Sequence, residues 1–379
     1  GLADEGPSAI PKEVAPWATG SGSRRVAYTA AQCRALLANA FFMNVADTTR
    51  DLKRINGGLN FEELLRSTKP VAAQKVACLL QYFETALTLE GTEDDAREIV
   101  VQRLTWPGDE MDDDLSEFCN WAMEEGSARS CDSSMCLLHD SGMEQVEDAD
   151  AFVNFANPNF GYGCFVPSCT QEEILQVCCP EFSVGMLHVG YMTSKEVVKV
   201  YGVRRFSRYR GYLHSFEYAG PWTAKPVVQT ILTMDATTHL HFAEDRVLRD
   251  IRKAYLCFRE CHVISTGRWG CGAFGGQPAH KFAQQLVAAS LAGCSLRFST
   301  FGEPNRCDEI LAAVVAARLS AGDLLQAVLV ASAAVRARTV ADFTAGLFLE
   351  IESRAPAEAG QVEAVAASPF GGEVAEDLV

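Results

Sequence analysis

Apolar residues recur every three to four positions in two early stretches, the spacing of a helix that buries one face. Cys33, Leu36, Leu37, Ala40 and Phe41 form the first stripe, behind Thr29, a residue type that caps helix starts. Val76, Leu79, Leu80 and Phe83 form the second, within residues 74–87. The first ~130 residues are therefore expected to be mostly helical. Residues 109–114, where Met111 is the single apolar side chain, read as a solvated loop that interrupts them.

From about residue 134 the pattern changes to short strand-like runs alternating with helical stretches. Strands are expected over residues 135–139, 151–157, 184–189, 227–234, 262–265 and 295–300. Helices are expected over 172–177, 194–200, 243–260, 277–292 and 309–319, with 324–335 as a core helix. Strands and helices alternating at crossover lengths predict a three-layer α/β/α sandwich. The expected organisation is a flexible Gly-, Pro- and Ser-rich leader (1–23), a helical accessory region (24–133), the α/β domain (134–350) and an acidic, disordered tail (351–379). No internal repeat is visible.

The 379 residues are 48% hydrophobic and 22% charged, values of a globular chain with ample core. The formal charge of −16 argues against direct nucleic-acid binding, which calls for a basic face. Much of the acid sits in flanks, so a phosphate-bearing ligand could still be held by local backbone dipoles. The 14 cysteines are scattered and lack paired CxxC spacing, which favours free thiols in a reducing, intracellular compartment over disulfides or zinc. No apolar run reaches the ~18 residues needed to span a membrane.

Candidate chemistry concentrates in residues 153–173, VNFANPNFGYGCFVPSCTQEE. A strand, a glycine-bearing turn and a helix start converge there, and such a junction offers free N–H groups and a positive helix end to an anion. Gln171, Glu172 and Glu173 open the helix. Taken alone, paired acids in a first turn more often complement the helix dipole than catalyse. Beside an anion cradle they suggest a phosphate-bearing sugar whose glycosidic bond is broken by acid chemistry. Adjacent side chains on a helix diverge by about 100°, so the two acids cannot share one task.

Phe155-Ala156-Asn157, Gly161-Tyr162-Gly163 and, seven residues on, Gln171-Glu172-Glu173 resemble the signature of the poly(ADP-ribose) glycohydrolases, GGG followed after six to eight residues by QEE. Four further blocks resemble that family and stand in its order: 36–42, 206–212, 267–276 and Thr300-Phe301-Gly302. The resemblance implies a macrodomain with a helical N-terminal accessory region. It also implies a hydrolase that releases ADP-ribose from poly(ADP-ribose) on ADP-ribosylated proteins. No metal or other cofactor is implied, and the setting would be the DNA damage response, in nucleus or cytoplasm.

By that resemblance Glu173 is the catalytic acid, and Glu172 and Asn157 hold ribose hydroxyls. Gly161, Tyr162 and Gly163 form the diphosphate loop, with Gly272, Ala273, Phe274 and Gly275 as a second set of N–H donors. Gln171 would read a polar edge of the adenosine, Tyr212 would stack on the base or cover the diphosphate, and Phe301 would pack against adenine. Each has a bland reading too: Asn157 as a turn former, Tyr212 and Phe301 as core aromatics, the glycines as ordinary turn residues.

Three positions depart from the family. Asn154 stands where the family carries an aspartate that assists catalysis, Tyr162 replaces the middle glycine, and Arg268 replaces a small polar residue and could add a phosphate contact. The first two keep a second function in view, a catalytically impaired module that binds ADP-ribose without turnover. A decayed scaffold with a structural role is the third.

Overall fold

The computed structural model of the chain describes residues 16–45, 59–107, 115–161, 163, 169–223 and 228–356. Tyr162, the acidic run at 109–114, and most of the expected leader and tail lie outside the described residues.

Ten strands are described: β1 Arg24–Thr29, β2 Glu98–Thr105, β3 Cys136–His139, β4 Ala151–Ala156, β5 Glu196–Arg204, β6 Ser207–Arg210, β7 Glu217–Pro221, β8 Val228–Asp235, β9 Val263–Gly267 and β10 Ser295–Ser299. Eight form one sheet in the order β1-β2-β5-β8-β4-β9-β10-β3, and β6 pairs with β7 in a separate hairpin. The pairs from β8 to β3 are parallel, and those joining β1, β2, β5 and β8 are antiparallel. The helices are α1 Ala30–Phe41, α2 Glu62–Arg66, α3 Pro70–Thr88, α4 Leu115–Ser127, α5 Gln171–Cys178, α6 Glu244–Phe258, α7 Pro278–Ala292, α8 Cys307–Ala316, α9 Ala321–Ala337 and α10 Phe343–Arg354.

Two apolar cores flank the sheet, giving the α/β/α layering expected from the alternating pattern. Phe118, Val247, Phe282, Leu286 and Leu324 belong to one, and Leu37, Leu79, Tyr82, Ile174 and Phe182 to the other. Thr29 caps α1 as its sequence suggests: Gln32 N–H donates to the threonine hydroxyl at 3.1 Å, and Thr29 N–H donates to the Gln32 side chain at 2.8 Å.

The described part of the first ~130 residues is mostly helical as expected, and it also supplies β1 and β2, one edge of the main sheet. Four expectations are corrected. Of residues 194–200, expected as a helix, 196–200 belong to β5. Their charges at 195, 196 and 199 mimic helical spacing, but Val197, Val198, Val200 and Val203 are all buried, and a dense β-branched run covered on both faces is a strand. Residues 184–189, expected as a strand, lie mostly in the short 3₁₀ segment Pro180–Leu187, where Pro180 opens the turn and Phe182 stacks on Phe160. At the ends, Trp17 N–H donates to the His188 carbonyl at 2.8 Å, and α10 continues to Arg354 because Leu347 and Ile351 are buried.

The register opens the sheet at one place. β4 pairs with β8 from Ala151 to Ala156, but with β9 only at Ala151 and Phe152. The carboxyl ends of β4 and β9 therefore separate, which is where ligands bind in open α/β sheets.

Candidate active site

Gln171 fills the gap in that ladder. Its side-chain oxygen accepts from Phe155 N–H at 2.9 Å, and its amide nitrogen donates to the Val153 carbonyl at 3.0 Å, so it stands in for the missing strand and pins α5 to β4. With both ends on backbone, Gln171 is a brace at the site and not the free reader of a nucleoside edge expected from its position.

The next two residues take opposite directions, as the turn of a helix requires. Glu172 is 4% exposed; one carboxyl oxygen accepts from Asn157 N–H at 3.2 Å and the other from Gln176 at 3.1 Å, with the Asn154 amide at 3.5 Å. Burial, reinforced by the charge of Glu173, pushes the Glu172 carboxyl well above the usual carboxylate range, against the pull of those three donors. The carbonyl oxygens of Asn154 and Gln176 are buried with no hydrogen-bond partner among the described residues.

Glu173 turns back on its own helix start. Its Oε2 accepts from Thr170 N–H at 2.5 Å and from the Thr170 hydroxyl at 2.6 Å, which closes a capping box. The other oxygen lies over Gly163: a Cβ there would come within 2.1 Å of Oε1. Gly163 has φ +79°, so the absent side chain serves both the turn and the carboxyl.

A cavity of about 350 Å³ opens beside this pair. Of the expected site residues, Gln171, Tyr212, Arg268, Gly272, Ala273, Phe274 and Phe301 line it. Asn154, Asn157, Gly161, Gly163, Glu172, Glu173 and Gly275 do not, although Thr170 and Ile174, which flank the glutamates in α5 and its cap, do. Tyr212 and Phe301 meet at the mouth, with ring centroids 6.4 Å apart and with 40% and 62% exposure. The rings are tilted by 56° to each other, so together they form an exposed aromatic wall against which a flat apolar group can stack.

Several residues in and around the cavity have no individual role in the sequence pattern. Glu144 lines the cavity and accepts from the Tyr209 hydroxyl at 2.9 Å, although it belongs to an acidic stretch that reads as a solvated flank. Trp269 is fully buried and donates its indole N–H to the Met234 carbonyl at 3.0 Å, anchoring the second glycine loop to the end of β8. Lys281 lies 5.2 Å from the Trp269 ring centre and ion-pairs with Asp250, which also binds Arg249 at 2.7 Å. That buried charge network stiffens the loop from below. Gly270, at φ +73°, lets the loop reach it, since a Cβ there would meet that of Ala236 at 2.5 Å.

Comparison with known proteins agrees with this architecture. The family model described as poly (ADP-ribose) glycohydrolase (PARG), Macro domain fold, matches residues 122–308, and the model of that family's helical domain matches residues 2–103. Poly(ADP-ribose) glycohydrolase 1 of Caenorhabditis elegans is 28% identical over 316 residues, covering 74% of this chain and 37% of that protein. Probable poly(ADP-ribose) glycohydrolase 2 of Arabidopsis thaliana is 26% identical over 355 residues, covering 76% of this chain and 66% of that protein. The chain thus spans between about a third and two thirds of the length of these relatives. The crystal structure of poly(ADP-ribose) glycohydrolase from Deinococcus radiodurans in complex with ADP-ribose is similar at 17% identity, covering 51% of this chain and 88% of that one; the TM-score of 0.35 is too low to place side chains by superposition.

Proposed function

Because this chain belongs to the poly(ADP-ribose) glycohydrolase family, we propose that it hydrolyses the ribose–ribose O-glycosidic bonds of poly(ADP-ribose) and releases ADP-ribose. The observation that carries this reading is the divergence of two adjacent carboxyls beside a nucleotide-sized cavity. Glu172 is buried and braced, while Glu173 is held by one oxygen and presents the other at a glycine turn.

In this reading the adenine stacks against the Tyr212–Phe301 wall, within reach of Glu144, an acceptor suited to an exocyclic amine. Backbone N–H groups of Gly161, Gly163 and the Gly272–Gly275 turn hold the diphosphate. Asn157 and Glu172 orient the distal ribose. Glu173 Oε1 protonates the leaving ribose oxygen as the anomeric C–O bond breaks, and the resulting carboxylate then takes a proton from the water that attacks the anomeric carbon. Asn154 supplies an amide where a carboxylate would raise the proton affinity of the pair, which favours a slower enzyme.

The substrates proposed are polymer chains on ADP-ribosylated proteins. The cysteines among the described residues are free thiols, which supports a reducing setting such as nucleus or cytoplasm. Among the described residues no helix is long and apolar enough to cross a membrane.

Purified protein incubated with labelled poly(ADP-ribose) tests the reading. Release of ADP-ribose that is absent in Glu173→Gln supports it. Tight ADP-ribose binding without release would replace it with the binding module, which Asn154 and its unpartnered carbonyl favour; no binding would remove both.

A further inference from the structure

We propose that Lys75 is a positioning residue for the general acid, holding Gly163 down on the Glu173 carboxyl from the helical layer. The proposal rests on the function argued above. Lys75 sits in α3 and is completely buried, yet the other buried positions of that helix, among them Val71, Ala72, Cys78, Leu79 and Tyr82, pack by shape. Taking an ammonium out of water is unfavourable unless hydrogen bonds and opposite charge offset it.

Both are close by. Lys75 Nζ donates to the Gly163 carbonyl at 3.0 Å, reaching from the N-terminal helical region into the glycine turn. The Cys169 thiol, pushed up to about 12 chiefly by burial, is also drawn down by Lys75 and raised by Glu173, so the three side chains share one neighbourhood. Gly163 in turn sets where Glu173 Oε1 can lie, because its Cα faces that oxygen without a side chain between. The chain of contact runs from Lys75 through the Gly163 carbonyl to the oxygen that carries the proton. A residue in this place acts on the rate and leaves the aromatic wall alone, since the cavity lining does not include it.

Lys75→Met and Lys75→Arg in the full chain test this. Lys75→Met should lower kcat on labelled polymer at least about tenfold, the loss expected for one hydrogen bond to a charged donor. KM should rise by less than the fall in kcat, since the aromatic wall is untouched and only the glycine turn's share of the diphosphate contacts is disturbed, and Lys75→Arg should recover part of the rate. Exchange of the Gly161 and Gly163 amides, read in protein labelled with 15N-glycine, should speed up in Lys75→Met. An unchanged kcat with only a lowered Tm would overturn the proposal. If the wild-type protein releases no ADP-ribose, the function fails separately, and the exchange experiment decides: unaltered Gly161 and Gly163 exchange in Lys75→Met overturns the positioning role.

Discussion

The carboxyl of Glu173 occupies the space a side chain on residue 163 would need, with Oε1 2.1 Å from the Cβ position of Gly163. Gly163 and Glu173, the proposed general acid, are thus one steric unit, although they stand ten positions apart in the chain. Gly163→Ala should therefore act on chemistry as well as folding. The positive φ and the clash together predict a loss of about 1–3 kcal/mol of stability. At least a 100-fold loss of turnover is predicted as Oε1 is displaced by about 1 Å. Melting and ADP-ribose release on one preparation separate the two effects; normal turnover in a folded Gly163→Ala would refute the coupling.

Removal of the Glu172 carboxyl should change stability in a pH-dependent way. Glu172 is held well above its ordinary 4.5 by burial, so the folded state binds its proton where the unfolded chain has lost it. Its stabilising contribution is complete below about 4.5 and drains away as pH rises toward its folded value. Glu172→Gln should gain stability relative to wild type as pH climbs from 5 to 8, measured by urea unfolding. A constant difference across that range would show that Glu172 ionises freely.

Asn154→Asp would set a second carboxyl beside Glu172, where the amide now lies 3.5 Å away. Turnover should rise because the pair holds its proton better, while stability falls by about 1–3 kcal/mol from the added buried charge. Parallel rate and melting measurements check this. A rate that drops alongside stability would mean that the asparagine suits this site.

Arg268 lines the cavity mouth and bonds Glu303 at 2.9 Å, an exposed pair of little energetic weight. Arg268→Asn should leave Tm and kcat nearly unchanged and raise KM for the polymer by about three- to tenfold, as loss of one phosphate contact does. The effect should shrink as salt is added. Equal KM at low and high salt in both proteins would exclude a phosphate contact.

Tyr212→Ala and Phe301→Ala each remove one ring of the aromatic wall at the cavity mouth. Each should weaken ADP-ribose binding by about 1–3 kcal/mol in calorimetry, the scale of a base stacked on a ring. The two effects should not add in the double variant, because the rings touch and each loss disturbs the other.

The sequence by itself determined what depends on near neighbours. Thr29 with Gln32, and Thr170 with Glu173, are helix starts written in four consecutive residues, and the alternation of strands and helices after residue 134 dictates the layering. The ordered motifs also placed Tyr212, Phe301 and the second glycine loop, which meet in one cavity. Lys75 lay off the stripe that the pattern of this helix suggests, Val76, Leu79, Leu80 and Phe83, because the structure buries the face of Val71, Cys78 and Tyr82 and leaves Leu80 exposed.

Tertiary structure decided what depends on distant partners. β5 could not be told from a helix until β2 and β8 covered its edges, because its charges and valines satisfy either period. Gln171 became a brace only because β9 leaves β4 after Phe152. Glu144 joined the site only through the fold that brings its 3₁₀ turn against Tyr209. The proton affinity of Glu172 is likewise set by desolvation, which no local pattern encodes and only the packed surroundings supply.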